Sequence, residues 1–243
     1  MRDFRPKLWF GDCLEVMKRI PDHSVDMILA DLPYGSTACK WDVVIPVEPL
    51  WEAYNRVIKP HRAIVLTARE PFTSVLVSSN IRHYKHKWVW NKKQSGSFQN
   101  AKFMPLQIEE DVLVFSSGGK VVYYPIMRKG KMRKRGGARE KSRVVGKGLR
   151  DGYENFSDQY FPVNIIEMAN PRKGKLHPTE KPVALMEYLI RTYTREGEMV
   201  LDNSMGSGTT GVACRNTERT FIGIDNDKRF YDMAVKRILG GTD

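Results

Sequence analysis

Short apolar segments alternate with amphipathic segments along most of the chain. Seven apolar segments predict buried strands: Leu8–Phe10, Ser24–Ala30, Ala63–Thr67, Lys87–Trp90, Asp111–Phe115, Met199–Leu201 and Thr220–Ile224. Helical spacing predicts Cys13–Ile20, Pro49–Lys59, Glu70–Ser78, a helix from an N-cap at Thr179 to Thr194, Thr209–Asn216 and Lys228–Leu239. Strands that alternate with helices predict an α/β fold with a doubly wound, mostly parallel sheet.

Several predicted strands run directly into an acidic residue. Asp31, Asp202 and Asp225 follow three of the apolar segments, and Asp12 follows Gly11 after the first. Ligands bind beyond the carboxyl ends of the strands in open α/β sheets, so these acids are candidate ligand contacts. For Asp12, a helix N-cap role is an equally good interpretation.

The loop "LDNSMGSGTTG" contains Gly206-x-Gly208-x-x-Gly211, which is the spacing of the dinucleotide fingerprint. Asp225, 17 positions after Gly208, is placed to bind ribose hydroxyls. Two features argue against a nicotinamide cofactor. Asp202 would repel a pyrophosphate but would attract a cationic amino acid group, and only 18 residues follow Asp225, too few for a second half-fold.

The segment "ILADLPYGS" places an acid beside an aromatic face at the end of a buried strand. Tyr34 could stack on a flat heterocycle while Asp31 and a nearby carbonyl accept the hydrogens of an amino group. An ordinary strand–turn with a surface tyrosine is the structural alternative.

Charge indicates a polyanionic partner. The net charge is +12, and residues 128–150 hold eleven Lys or Arg against the single acid Glu140. Such a stretch is typical of a solvated basic loop, and the same loop can order on a phosphate backbone. Nucleic acid is therefore the first partner to consider.

Other features limit the function classes. Cys13, Cys39 and Cys214 are scattered, which suits a reducing cytoplasm better than a disulfide framework. The five histidines lack metal-ligand spacing, so no metal is expected. No apolar run reaches the length of a membrane span or of a signal peptide, and we expect a cytoplasmic protein.

Across essentially the whole chain, "DLPY", "HPTEKP" and "LDNSMGSGTTG…FIGID" resemble, in this order, the β-class amino-methylating DNA methyltransferases. The resemblance implies S-adenosylmethionine as cofactor and double-stranded DNA as substrate. It also implies a circularly permuted, Rossmann-like, seven-stranded sheet of order 3-2-1-4-5-7-6 with strand 7 antiparallel. Residues 1–243 would form one methyltransferase domain, with residues 116–176 as a target-recognition insertion.

The resemblance also implies roles for individual residues. The catalytic motif would be Asp31, Leu32 through its carbonyl, Pro33 and Tyr34. The cofactor would contact Asp12, Cys13, Thr179, Lys181, Asp202, Gly206, Ser207, Gly208 and Asp225. DNA would contact Arg128, Lys129, Lys131, Arg133, Lys134 and Arg135.

Three motifs depart from the family pattern. Leu32 replaces a proline, Asn203-Ser204 replaces Pro-Phe, and Glu109-Glu110 replaces a common His-Glu pair. The contacts of residues 203 and 204 are therefore in doubt, and Glu109 receives no role.

The resemblance favours adenine N6 as the target, because the cytosine-N4 enzymes more often carry Ser at the position of Asp31. Cytosine-N4 methylation, an RNA substrate, a nicotinamide-dependent oxidoreductase and an inactive DNA-binding module stay open as alternatives. A homodimer is compatible with the resemblance, and we expect a stand-alone methyltransferase without a nuclease domain.

Overall fold

The computed structural model describes residues 4–35, 43–95, 98–135, 155–170 and 180–240. The chain divides into two compact units. One comprises Met1–Tyr124 and Asn164–Asp243, and the other comprises Pro125–Val163. The strands are β1 (Lys7–Phe10), β2 (Val25–Asp31), β3 (Ile58–Ala68), β4 (Tyr84–Asn91), β5 (Glu109–Phe115), β6 (Arg128–Arg135), β7 (Asn155–Tyr160), β8 (Ile165–Glu167), β9 (Met199–Asp202) and β10 (Thr220–Asp225).

The first unit contains a sheet of order β1-β10-β9-β2-β3-β5-β4-β8. β5 is antiparallel to both β3 and β4, and the other pairs are parallel. When β1 is counted as strand 3 and β10 as strand 2, the implied order 3-2-1-4-5-7-6 with an antiparallel strand 7 is confirmed. β1 pairs with β10 from Lys7–Ile222 to Phe10–Asp225, so the first and the last strand in chain order are adjacent.

The prediction of seven strands is wrong by one. β8 adds an eighth strand at the edge, where it pairs in parallel with β4. Three residues are too few to show a period in the sequence, and Ile165 and Glu167 are both exposed.

In the described residues, six α-helices cover the sheet: α1 (Cys13–Met17), α2 (Val47–Val57), α3 (Phe72–Ser79), α4 (Val183–Tyr193), α5 (Thr209–Asn216) and α6 (Lys228–Leu239). Apolar residues of α1, α2 and α3 pack into one buried cluster, and those of α4, α5 and α6 pack into another. Each cluster includes residues of the central strand β2, for example Ile28 in the first and Met27 in the second. Successive residues of β2 therefore point to opposite faces of the sheet, and both of these faces are buried.

Several predicted helix boundaries are wrong. α1 ends at Met17 and not at Ile20, and α3 begins at Phe72 and not at Glu70. α2 ends at Val57, before the predicted Lys59, because β3 begins at Ile58 and pairs there with Val25. α4 begins at Val183, and Pro182 stands at its N-cap with φ −63° and ψ 134°. A proline disfavours helical geometry in the residue before it, which prevents a start further upstream. The predicted N-cap, Thr179, lies outside the described residues.

The second unit contains an antiparallel pair, β6 and β7, which runs from Arg128–Tyr160 to Arg135–Asn155 with a register shift between Lys129 and Arg133. Interpretation of this basic stretch as a loop is therefore wrong for its first eight residues. Residues 136–154, which hold the rest of the basic stretch, lie outside the described residues.

Candidate active site

One cavity of about 440 Å³ opens at the carboxyl ends of the parallel strands. The segments that follow β1, β2, β9 and β10 meet there, as expected for an open α/β sheet. The predicted site residues that line it are Asp12, Cys13, Asp31, Leu32, Pro33, Tyr34, Lys181, Gly206, Ser207 and Asp225. The structure thus brings the "DLPY" segment and the glycine loop, which are about 170 residues apart in the chain, to a single site.

Two predicted site residues lie behind this lining. Asp202 is 2% exposed, and its side chain is turned inward against the loop that follows it. Gly208 has φ +80°, and a Cβ there would lie 2.9 Å from Ile238 Cδ1 and 3.0 Å from Ala234 Cβ. Gly208 therefore permits close packing of the loop on α6.

The carboxylate of Asp31 forms the centre of a hydrogen-bonded cluster. The Tyr34 hydroxyl donates to Asp31 Oδ1 at 2.9 Å, and the hydroxyl of Thr67 on β3 donates to the same oxygen. Burial and the Asp31 charge raise the pKa of Tyr34 well above its usual value. The phenol therefore stays protonated and acts as a donor.

Lys181 lies on the other side of Asp31. Its Nζ is 2.7 Å from Asp31 Oδ2 and 3.3 Å from Glu110 Oε2. Burial opposes the positive charge, but the nearby Asp31, Tyr34 and Glu110 outweigh it and hold the pKa of Lys181 well above its usual value. Lys181 is therefore a permanent ammonium group in the wall of the cavity.

The glycine loop is tied to Asp225. Gly206 has φ +51°, and its N–H donates to Asp225 Oδ2 at 2.8 Å, while the N–H of Asp227 donates to Oδ1 at 2.8 Å. No atom lies within 4 Å of the place that a Cβ on Gly206 would occupy, so the backbone there borders open space. Burial raises the pKa of Asp225 to about 6 despite these hydrogen bonds.

Asp202 is the most strongly perturbed carboxyl near the cavity. Burial raises its pKa to about 7, although Thr210 and the N–H of Ser204 donate to it. The charges of Asp31 and Asp225 raise it further. Three carboxyl groups at one edge thus make this region favourable for a cation.

Asp12 caps α1, as the alternative interpretation of this residue predicted. Its Oδ1 accepts from the N–H groups of Leu14 at 2.9 Å and Glu15 at 3.1 Å. Cys13 follows it and is 8% exposed, and burial raises the pKa of its thiol. Both residues also face the cavity, so the cap role and a ligand role are compatible.

Four residues of the site were missed by the sequence analysis. Thr67 and Glu110 reach the Asp31 cluster from β3 and β5. Asn203 accepts a hydrogen bond from Tyr54 at 2.5 Å, and the Ser204 hydroxyl donates to the carbonyl of Asp31 at 3.1 Å. Ser204 therefore links the glycine loop to the "DLPY" segment. Its polarity in place of the usual phenylalanine is the sequence signal that could have indicated this link.

The basic strand β6, with its Lys and Arg side chains, belongs to the second unit. Arg133 stacks over the Tyr160 ring at 5.6 Å from the centroid, and the Tyr160 hydroxyl donates to the Lys131 carbonyl at 2.7 Å. Residues 128–133 are exposed, and Lys129 lies 4.0 Å from Asp158. Lys134 and Arg135 continue the strand, but their side chains lie outside the described parts. Thr179 is likewise outside them.

Neither a metal centre nor a membrane span is found in the described parts of the chain. No three His, Cys, Asp or Glu side chains there are grouped to bind a metal ion. No helix in those parts combines the length and the apolar character that crossing a bilayer requires.

Comparison with known proteins gives concordant matches. The chain is 26% identical to the Type II methyltransferase M.HpaI of Haemophilus parainfluenzae over 248 residues, which cover 96% of this chain and 74% of that protein. It is 26% identical to the DNA adenine methyltransferase YhdJ of Escherichia coli K12 over 253 residues, covering 94% and 81%.

Solved structures match over nearly the whole chain. The complex of M1.HpyAVI with SAM has a TM-score of 0.64 at 26% identity and covers 96% of this chain and 100% of that one. The cytosine-N4-specific PvuII DNA methyltransferase has a TM-score of 0.69 at 15% identity, covering 99% and 98%, which shows the shared fold. The profile of the DNA methylase family of the N6/N4 type matches residues 25–236. The chain therefore belongs to the N6/N4 family of amino-methylating DNA methyltransferases.

Proposed function

We propose that this protein transfers a methyl group from S-adenosylmethionine to the exocyclic N6 of adenine within a specific sequence of double-stranded DNA. Methylation of an amino group of DNA follows from the family, and adenine as the base is the further step. The observation that carries the proposal is the position of Asp31 and Tyr34 in the same cavity as the glycine loop and Asp225.

The cavity fits S-adenosylmethionine. Its volume of about 440 Å³ lies within the range of small-molecule sites. The open space beside Gly206 allows a ligand to approach the backbone, and the carboxyl groups of Asp202 and Asp225 lie where a cationic ligand would favour their ionised forms. M1.HpyAVI, of similar fold, was solved with SAM.

Individual residues would hold different parts of the cofactor. Asp225 would bind the ribose hydroxyls, and Asp12 and Cys13 would contact the adenine. Gly206 and Ser207 would line the methionine part. Asp202, which lies behind the lining, would attract the cationic cofactor through its negative charge. Gly208 would contribute through the loop conformation that it permits. Thr179 would complete the methionine end. When bound, S-adenosylmethionine supplies a methyl group on a sulfonium, which is ready for direct displacement.

Asp31 and Tyr34 would prepare the nucleophile. An exocyclic amine is a weak nucleophile because its lone pair is delocalised into the ring. Asp31 and the carbonyl of Leu32 would accept its two hydrogens, and these contacts favour a tetrahedral nitrogen whose lone pair is localised. Tyr34 would stack on the base, with Pro33 stiffening the turn. Positioning and electrostatic stabilisation would supply most of the acceleration.

The target base would be flipped out of the duplex, because chemistry on a stacked, paired amino group is otherwise out of reach. The basic strand β6 of the second unit would hold the phosphates. Arg128, Lys129, Lys131, Arg133, Lys134 and Arg135 supply the charge for this role. Residues 116–176, as a target-recognition segment, would supply base contacts in addition.

Two considerations support adenine over cytosine. The acceptor at the start of the "DLPY" motif is the carboxylate of Asp31. The cytosine-N4 enzymes more often have serine at this position. YhdJ, an adenine methyltransferase, is also 26% identical over most of the chain. Cytosine N4 is the second candidate, because the same fold and acceptor geometry serve it. M.HpaI is a Type II methyltransferase, which supports a role beside a restriction enzyme.

The test measures transfer of tritiated methyl from S-adenosylmethionine to DNA by the wild type and by Asp31→Ala. We expect the variant to lose transfer and to keep its dissociation constant for S-adenosylmethionine in calorimetry. Asp22→Ala, which removes an exposed acid, is the matched control and should behave as wild type. Loss of cofactor binding by Asp31→Ala, or full activity of it, would refute the role of Asp31.

A further inference from the structure

We propose that Lys181 and Glu110 form a charged bridge that positions the carboxylate of Asp31 for methyl transfer. This proposal rests on the proposed function, because it concerns how Asp31 meets the target amino group. Lys181 was expected to contact the methionine end of the cofactor. Lys181 lines the cavity, and its ammonium group lies 2.7 Å from Asp31 Oδ2 and 3.3 Å from Glu110 Oε2.

The hydrogen bonds to Asp31 leave little rotational freedom. A carboxylate offers about four acceptor positions. The hydroxyls of Tyr34 and Thr67 occupy two positions on Oδ1, and Lys181 occupies one on Oδ2. About one position remains for a hydrogen of the target amine. Three donors thus fix the plane of the carboxylate before a base arrives, which is the preorganisation that an electrostatic catalyst needs.

Glu110 supports Lys181 from the antiparallel strand β5. Glu110 Oε1 pairs with Lys92 at 3.0 Å, while its buried Oε2 has no aligned hydrogen bond and is met by the charge of Lys181. Lys181 is 6% exposed, and an ammonium group so buried is stable only when carboxylates compensate it. The row Asp31–Lys181–Glu110–Lys92 is neutral in total and runs from β2, through Glu110 on β5, to the residue that follows β4.

The row makes Lys181 a positioning residue. A purely structural ion pair would not need to touch the carboxylate that receives the substrate. Lys181 touches it on the oxygen that Tyr34 and Thr67 leave free. Loss of the ammonium group would let Asp31 rotate and would expose it to the negative charge of Glu110 without an intervening cation.

The test compares Lys181→Met, Glu110→Gln, the double variant and Lys181→Arg. Each is measured for kcat at saturating DNA and cofactor, for the dissociation constant of S-adenosylmethionine, and for kcat against pH. Lys87→Met is the control, because it removes a lysine from an ion pair with Asp111, the neighbour of Glu110 on β5. The charged or titratable groups that face Asp31 are Tyr34, Lys181, Glu110 and Asp202.

For Lys181→Met we expect kcat to fall about 100-fold, as misplacement of a reacting group does, with unchanged cofactor affinity. Its activity should also be lost at a higher pH on the acid side than in the wild type, because Asp31 then lacks a cation and faces Glu110. The acid limb of the profile of kcat against pH, where activity is lost on acidification, should move to lower pH in Glu110→Gln. The double variant should lie closer to wild type than Lys181→Met, and Lys181→Arg should restore the acid limb.

Three results would overturn the proposed bridge and leave the proposed function intact. Weaker cofactor binding by Lys181→Met with an intact kcat would make Lys181 a cofactor contact. A fall in kcat with an acid limb identical in all variants would make the row merely structural, as would an equal fall in Lys87→Met. Absence of methyl transfer to DNA by the wild type would instead overturn the proposed function, and the bridge with it.

Discussion

The hydroxyl of Tyr34 donates a 2.9 Å hydrogen bond to Asp31 Oδ1, so the aromatic ring and the acceptor of the catalytic motif are joined before a base enters. The ring also packs against Phe72 at 5.4 Å between centroids. Tyr34 therefore has two separable parts, a ring that would stack on the base and a hydroxyl that orients Asp31.

Substitutions of Tyr34 should separate these parts. Tyr34→Phe keeps the ring and removes one of three donors to Asp31, so kcat/KM for DNA should fall by about tenfold or less, the worth of one hydrogen bond. Tyr34→Ala also removes the stacking surface, which is worth about 1–3 kcal/mol per base. Steady-state kinetics on one DNA duplex measures both. Equal losses in the two variants would contradict a stacking role.

The raised pKa of Asp202 should make the cofactor-free protein less stable as pH rises. The folded carboxyl has a pKa of about 7 and an unfolded one has a pKa of about 4. Between these values the folded state binds more protons, so its stabilising contribution, complete below pH 4, is lost as pH rises toward 7. The slope is at most about 1.4 kcal/mol per pH unit for one carboxyl.

Urea denaturation at pH 5, 6, 7 and 8 would measure this slope. Asp202→Asn should flatten the decline and should be more stable than wild type at pH 8. Asp225, with a pKa of about 6, should leave a smaller slope of the same sign. Asp22→Asn, at an exposed position, serves as control. The same slope in wild type and Asp202→Asn would show that Asp202 is not the source.

Two glycines of the fingerprint should respond differently to alanine. Gly206 borders open space in the cavity wall, so Gly206→Ala should weaken S-adenosylmethionine binding and cost only about 1 kcal/mol of stability for its positive φ. A Cβ on Gly211 would lie 2.5 Å from Ile238 Cδ1 and 2.8 Å from Phe221 Cε1. Gly211→Ala should therefore lower the melting temperature more.

Calorimetric titration and thermal melting of both variants test this difference. The prediction fails if Gly206→Ala binds S-adenosylmethionine as tightly as wild type, or if Gly211→Ala melts as wild type does.

The basic strand β6 should determine the salt dependence of DNA binding. Each lost phosphate contact reduces the slope of log K against log salt concentration by about 0.9. Lys131→Gln should therefore lower the slope by up to about one, with cofactor affinity unchanged. Lys236→Gln removes the same charge from an exposed position on α6 and is the matched control. Equal slopes in both variants would place phosphate binding elsewhere.

The strand ends of the site could be predicted from sequence, because a buried strand appears in the sequence as an apolar run. An acid that follows such a run lies at the carboxyl end of the strand, where ligands bind in open α/β sheets. Asp31, Asp202 and Asp225 were found in this way. The order of the strands came from the family resemblance, since hydrophobic period carries no information on which strands pair.

Glu110 could not be predicted because its neighbour Glu109 has the same chemistry, and only the register of β5 decides which of the two faces Lys181. Thr67 is one of many threonines, and its position opposite Asp31 in the β2–β3 pairing selects it. For Lys181, the turn before α4 decides whether the ammonium group meets Asp31 or the cofactor, and no periodic signal describes that turn.

The nucleosides of methylated DNA give the most direct test of the central claim. Unmethylated double-stranded DNA would be incubated with the wild-type protein and S-adenosylmethionine, digested to nucleosides and analysed by mass spectrometry. The account predicts N6-methyldeoxyadenosine from the wild type and none from Asp31→Ala. N4-methyldeoxycytidine as the product, or unmodified nucleosides from a protein that binds both DNA and cofactor, would contradict it.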